Sequence, residues 1–573
     1  MPRDHELHEN VTILETETST SEYSRRTSDQ DDASTTYLAA NLFGQSPAAH
    51  THDDGDVHYY DGDYDYAYEE DRTPKDDPLA ASVTLHHVAL SSTIIHGHMQ
   101  DRLALWINCA TVGVAQALFQ SLLYPYLKIY LNMDEYRAHS AELLVALPWS
   151  FKLALALLSD CPYLYVGWAL CGIFSLVVAF IPSETPYLEH GKVANGDAAK
   201  AGAKYMGLFF MASLGLVLVS VVCDAIVVEF SHREIESKRG SVLLTAAMAR
   251  YAGHAAMTLL RPTQASNPYD PSRASTLGEA TPQPFDTSVI RPSELRTTRI
   301  SVVRARPQTL WAFVQRRSTL QLVVYVFLAR ACFAYYTAST KVVYETWLSI
   351  SPLLSNLFTV VNSLVFAGVA FLLRQSHLLA SWKRLIQGAV LISVVITVIP
   401  FVFFVTNVVR NSVLTLLVEQ LVAFVDAVAY FAIILAVLDA SEASGLEASS
   451  FAFFTSIANA AIPFATSVAQ SIGSHFDAYD SEWKADAASA RWKMVYALIV
   501  WVLFRCANLA LLPLLPSQKR ELHMLKEFGG SHRVPALYIT AAAAFVLLWV
   551  PFTTILAAVE TTACLTVAGG EGC

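Results

Sequence analysis

The sequence predicts an all-α polytopic membrane bundle with about twelve spanning helices. Three observations carry this. Hydrophobic residues make up 54% of the 573-residue chain and charged residues only 16%, with a mean hydropathy of +0.38, whereas about a quarter of a soluble protein is charged. From residue 104 onward, long apolar runs alternate with short charged loops. Several of those runs keep ionisable residues deep inside. Lipid offers no partners to backbone N–H and C=O groups, so such runs must form helices or a closed barrel. Their length is that of helices, which need ~20 apolar residues to cross.

Residues 1–101 are polar, acidic and rich in Ser, Thr, Asp, His and Tyr, and they hold many of the acids behind the net charge of −11. They bury too little apolar surface to fold alone, so a disordered acidic cytosolic tail is expected. Asp61, Asp63 and Asp65 have the spacing of a calcium loop. However, Tyr66 stands where Gly is needed and Arg72 where Glu is needed, so the solvated-tail reading is preferred. The sequon Asn10-Val11-Thr12 is expected to stay unused on a cytosolic tail. The polar amino terminus has no apolar signal region, so the first span is expected to direct membrane targeting. The eight cysteines are scattered, without a CxxC pair, and suggest neither a zinc site nor a disulfide framework. No phosphate-binding Gly loop, catalytic triad or HExxH is present; an enzyme, a cofactor and a nucleic-acid partner are not expected.

The spans expected in the first half are 104–131, 141–158, 163–182, 205–229 and 240–260. In the second half they are 318–338, 352–373, 383–406, 411–438, 448–472, 493–516 and 534–558. The loops 230–239, 262–317, 374–384 and 517–533 are basic, whereas 183–204, 339–351 and 473–492 are neutral or acidic. Basic loops favour the cytosol, so the amino terminus and central linker are read as cytosolic and the last helix as ending outside. The resulting organisation is a tail (1–101), a first transmembrane half (102–261), a basic disordered linker (262–317), a second half (318–516), and a loop with an extra helix (517–573). The middle breaks the alternation, because the single crossing 240–260 separates two basic loops. Either that segment does not cross fully or one first-half helix is missing; the second explanation is favoured.

Four segments carry a family resemblance. "LPWSFKLALALLSDC" (147–161) contains Pro148, Trp149, Lys152 and Asp160, and "VVCDAIVVEFSHRE" (221–234) is followed by Arg239-Gly240. "GLEASSFAFFTSIANAAIPF" (445–464) begins near Glu447, and "TTACLTVAGGEGC" ends the chain. Together these resemble the second, fourth and eleventh helices and the carboxy-terminal extension of the folate–biopterin transporter family, a branch of the major facilitator superfamily. The resemblance covers roughly 104–573. It implies a two-half carrier for folates, pterins or a related cofactor such as S-adenosylmethionine, and a gate role for Asp160. The chain departs from the family in two places. No basic stretch follows Leu-Ser-Asp, and a basic linker stands where the sixth helix belongs.

Charge inside a span costs at least a few kcal/mol, so it marks a pathway or a buried pair. Asp224 is either a binding or proton site or the partner of Arg250. Glu229 lies five residues on, about 140° around the helix at ~100° per residue, and reads better as a partner of Arg233 or Lys238. Arg250 and His254 share a face, and Gly253 between them permits close helix contact. Arg250 suits a substrate carboxylate or phosphate, or simply neutralises Asp224. Glu419 and Asp426 lie two turns apart on one stripe, Asp426 the deeper. Arg330 and Arg505 either hold an anionic group or balance Asp426, with ion pairing favoured for Arg505. Lys152 and Asp160 bracket the second span.

The expected function is secondary active transport of a small polar solute by alternating access, with possible coupling to protons. The alternative is a degenerate, non-transporting carrier that acts as a membrane interaction protein. Solute and bilayer are the expected partners. Oligomeric state, solute identity and target membrane are not legible in the sequence.

Overall fold

The computed structural model describes residues 102–573 apart from 124, 134, 158–161, 182–183, 190–191, 236–237, 261–306, 337–346, 351, 377–380, 442–445, 475–485, 559–561 and 563–573. The expected tail, most of the expected linker and Asp160 therefore lie outside the described residues, as does the side chain of Glu447.

The first helix, α1 (Arg102–Lys128), ends in a π-helical turn at Tyr126–Tyr130. The segment expected as one second span is broken into α2 (Glu135–Ala146), a 3-10 turn (Leu147–Phe151) and α3 (Lys152–Leu157). Pro148 has no N–H to donate and clashes with an α-helical carbonyl behind it, which explains the tightened turn. Next come α4 (Pro162–Phe180), a hairpin of two-residue strands pairing Leu188 with Val193, α5 (Gly202–His232) and α6 (Ser241–Leu260). The remaining helices are α7 (Pro307–Val314), α8 (Arg317–Ala334), α9 (Pro352–Gln375), α10 (Trp382–Val405) and α11 (Ser412–Ala440). They are followed by α12 (Glu447–Ser474), α13 (Ala488–Leu511), the short α14 (Lys519–Phe528) and α15 (Arg533–Ala558).

Among the described residues, ten helices are long and apolar enough to cross a membrane. The chain is a multi-pass membrane protein. The two expected spans outside those ten are the broken α2–α3 segment and α6, which carries Arg250 and His254. Even so, α6 runs the length of α9 in antiparallel fashion. Arg374 Nε at the end of α9 donates to Ser241 Oγ at the start of α6 (3.2 Å), and Asn356 Nδ2 at the start of α9 donates to the Thr258 carbonyl at the end of α6 (3.2 Å). Leu260 thus lies opposite the end where α6 begins. Arg316, just before α8, lines the same cavity as Arg239, just before α6. The expected linker also stops short of 317: α7 is helical, and its Phe313 and Val314 are buried in the core.

Close helix contact in the first half depends on glycine. A Cβ on Gly253 would sit 2.1 Å from the Ala110 carbonyl oxygen, and one on Gly113 would sit 1.9 Å from that of Arg250, so α1 and α6 meet backbone to backbone. Gly167 of α4 and Gly215 of α5 form a second such contact, with each added Cβ within 2.9 Å of the other residue's carbonyl oxygen. Small residues let helices approach where no hydrophobic force drives them together in lipid. The other strong pairings are α10 with α11, α8 with α12, and α9 with α11, while α12 reaches across to α3 and α5. The extra helix α15 lies against α2 and α12.

Candidate functional site

Three charged groups lie inside the bundle. In the first, Asp224 of α5 holds one cation on each oxygen: Lys152 Nζ at 2.6 Å on Oδ2 and Arg250 Nη2 at 3.1 Å on Oδ1. The Ser220 hydroxyl accepts from both cations, at 3.3 Å and 3.2 Å. Lys152 is itself buried, over the Trp149 ring at 4.9 Å. The 3-10 turn at Pro148 places it there, and the Trp149 carbonyl accepts from Asn459 Nδ2 of α12 (3.0 Å). Two cations facing one carboxylate leave this cluster with one positive charge in excess.

In the second group, Asp426 of α11 and Arg505 of α13 form a two-pronged pair at 2.6 and 2.8 Å, with the guanidinium over Phe333 and Trp501. Parallel N–H···O bonds are the strongest form of this contact. Charge is balanced here.

Arg330 is the third group, and it differs. It pairs with no carboxylate among the described residues; its buried Nε has no hydrogen-bond acceptor, a feature it shares with Arg505. Its guanidinium rests on the Tyr430 ring at 5.0 Å. Tyr430 belongs to an aromatic cluster drawn from three helices. Tyr251 of α6 contacts Phe366 of α9 at 5.0 Å and Phe431 of α11 at 6.4 Å, and Phe366 contacts Tyr430 at 6.2 Å.

The remaining predicted residues take simpler positions. Glu229 pairs with Arg233 one turn on. Glu419 is half-buried on α11 and has a polar contact of its own. His254 contacts Ser363 Oγ at 2.9 Å and Gln120 Oε1 at 3.2 Å, within a polar seam between α6, α9 and α1. The sequence reading passed over Tyr251, Phe366 and Tyr430, because an aromatic in an apolar run carries no signal of its own. It also passed over Asp439, which stands at the end of α11 only 5% exposed. No group of residues able to hold a metal occurs among the described residues.

No family model matches the chain. No curated protein matches it either. Solved structures of similar fold include the proton:xylose symporter XylE bound to 6-bromo-6-deoxy-D-glucose, at 13% identity and a TM-score of 0.46, covering 74% of this chain and 98% of that one. A D-xylose–proton symporter is similar at 14% identity and a TM-score of 0.47, covering 71% and 97%. The major facilitator superfamily transporter FucP in its outward conformation is similar at 12% identity and a TM-score of 0.41, covering 71% and 99%.

Proposed function

We propose that this protein is a secondary active carrier for a small anionic solute with a planar ring, working by alternating access between two helix halves. The observation that carries this reading is Arg330, a cation inside a span with no carboxylate partner among the described residues, resting on the Tyr430 ring. An isolated charge in such surroundings is costly, and a solute carboxylate or phosphate would supply the missing acceptor through the planar guanidinium fork. The rings of Tyr251, Phe366 and Tyr430 beside it offer stacking surfaces to a heterocycle. Of the solutes implied by the sequence resemblance, folates have this combination of ring and acid, whereas pterins offer the ring alone.

Asp224 takes the coupling role in this reading. An anionic group of the solute that draws Arg250 away leaves Asp224 with one cation fewer, and the carboxylate then becomes able to take up the coupling proton. Arg505 and Asp426 serve as a fixed strut within the second half. The test is uptake by proteoliposomes holding the purified chain, screened with folate, a pterin and S-adenosylmethionine under an imposed proton gradient. Accumulation of at least one, lost in Arg330→Met, supports the carrier; no accumulation of any by well-inserted protein overturns it.

A further inference from the structure

A cavity of about 390 Å³ lies at the end of the bundle that carries the basic loops. That is the size of a small-molecule pocket and far more than one water needs. Three permanent cations line it, Arg239, Arg316 and Lys526, against two carboxylates, Asp439 and Glu527. His232 and His523 complete the titratable lining, and each adds a positive charge when protonated. Arg330 is 14 residues further along the chain than Arg316, roughly 21 Å at ~1.5 Å per helical residue, so this is a different place from the solute site.

The cavity is more positive than the lining alone suggests. Asp439, the penultimate residue of α11, is buried and is also answered from outside the lining by Lys519, whose Nζ lies 3.8 Å from its Oδ2. Glu527 is exposed on α14. Lys526 Nζ donates to the carbonyls of Asp439 (2.7 Å) and Ser441 (3.2 Å), which offsets the negative end of the α11 dipole. Arg239 Nη1 stands 3.8 Å from Asp439 Oδ1, beyond hydrogen-bond reach, and its buried Nε has no acceptor. Arg505 also lacks an acceptor at Nε, but both its terminal nitrogens are bound to Asp426. The Arg239 guanidinium donates no hydrogen bond to another described residue while it lines the cavity.

The three cations come from separate segments. Arg239 belongs to the turn before α6, Arg316 to the start of α8, and Lys526 to α14. A carboxylate has two oxygens in one plane and is matched by a single arginine fork. A phosphate presents three acceptor oxygens and nearly two charges at neutral pH, which suits donors that converge from three directions. The position supplies a source as well. His232, Arg316 and Asp439 stand at or beside the ends of the candidate spans Ala198–His232, Arg317–Ala334 and Ser412–Ala440. Lipid headgroups sit at that level, and basic pockets between spanning helices hold phosphorylated ones.

We propose that this cavity is a binding site for a phosphate group, carried by a soluble phosphate compound or by a lipid headgroup, with Arg239, Arg316 and Lys526 as its donors. The inference does not depend on transport. Its test uses the full chain in phosphatidylcholine nanodiscs, titrated calorimetrically with inorganic pyrophosphate. In a second arm the chain is released from nanodiscs holding equal amounts of phosphatidylcholine and phosphatidylinositol phosphate, and native mass spectrometry reads the retained lipid. Pyrophosphate binding without lipid retention identifies a soluble ligand; selective lipid retention alone identifies a headgroup; both together sustain the shared chemistry.

Arg316→Gln and Lys526→Gln should each weaken whichever binding is seen by about tenfold or more. Arg520→Gln, which removes an exposed cation from the same helix as Lys526, should not. Lys526 also holds the end of α11, so Arg316→Gln keeps the test valid should Lys526→Gln melt early. Neither pyrophosphate binding nor selective lipid retention, or a loss as large in Arg520→Gln as in Arg316→Gln, overturns the site. So does binding that is lost in Arg330→Met and kept in Arg316→Gln, because the anion would then sit at the solute site. Phosphate binding in a protein that moves no solute sustains this inference and removes the carrier.

Discussion

Arg330 and Arg505 are both arginines within spans, and their substitution by Met should have opposite signatures. Arg505 is 4% exposed and bound through two nitrogens to Asp426. Arg505→Met strands that carboxylate, and breaking a buried pair from one side costs ~3–5 kcal/mol. The Asp426 side chain retains 24% exposure, which places the expected loss at the lower end of that range. Arg330 has no carboxylate to strand, so Arg330→Met should leave stability unchanged or slightly raised. What it removes is a charged donor for the solute, and a hydrogen bond to a charged group is worth ~1.5–3 kcal/mol. At ~1.4 kcal/mol per decade, folate binding should weaken about 10- to 150-fold. Arg330→Lys keeps the charge but loses the planar fork, so it should fall between Met and the parent. Thermal melting and equilibrium folate binding, both in nanodiscs, separate these effects. If Arg330→Met melts as early as Arg505→Met while folate binding is unchanged, Arg330 is a structural residue and the reasoning fails.

Three further outcomes follow from the same geometry. Asp224→Asn should reduce proton-driven uptake while leaving exchange without a proton gradient less affected; equal loss in both assays would remove Asp224 from coupling. Gly253→Ala places a methyl group 2.1 Å from the Ala110 carbonyl oxygen, so α1 and α6 must separate at a cost of ~1–3 kcal/mol, read as a lowered melting temperature. Outside the spans, the Asp486 carboxyl is held below the usual carboxylate range, first by hydrogen bonds from Arg491 and then by those from Arg410. A lowered folded-state pKa gives stability that is present above the unfolded value of about 4 and is lost as pH falls through the folded value. Asp486→Asn should therefore melt earlier than the parent at neutral pH, and the gap should close below about pH 4 in a melting series.

Most of the helix layout was legible because apolar length and loop charge are local properties. The breaks in that legibility have physical causes. The single span expected at 141–158 breaks at Pro148, where a missing N–H outweighs apolar continuity. The helix α7 was hidden because eight residues are too few to cross a bilayer and sit among arginines. Sequence spacing placed Lys152 and Asp160 only as brackets of one segment, whereas Lys152 turns to Asp224 on another helix. Pairing of this kind depends on the relative rotation of two helices, which no periodicity encodes. The pairings Asp224 with Arg250 and Asp426 with Arg505 were among the alternatives weighed, because a charge inside lipid needs a partner and few were on offer. The cage around Asp439 was not, since an acid at the end of an apolar run reads as a solvated helix end until α14 folds over it.

The central claim is that a bundle of helices presents a solute site around Arg330 to each side of the membrane in turn. Counterflow tests this most directly: proteoliposomes preloaded with unlabelled solute are diluted into a trace of the labelled compound. A carrier should show transient labelled uptake above equilibrium that then decays, and Arg330→Met should abolish the overshoot. No overshoot with folate, a pterin or S-adenosylmethionine, in protein shown to be inserted and folded, would contradict the account.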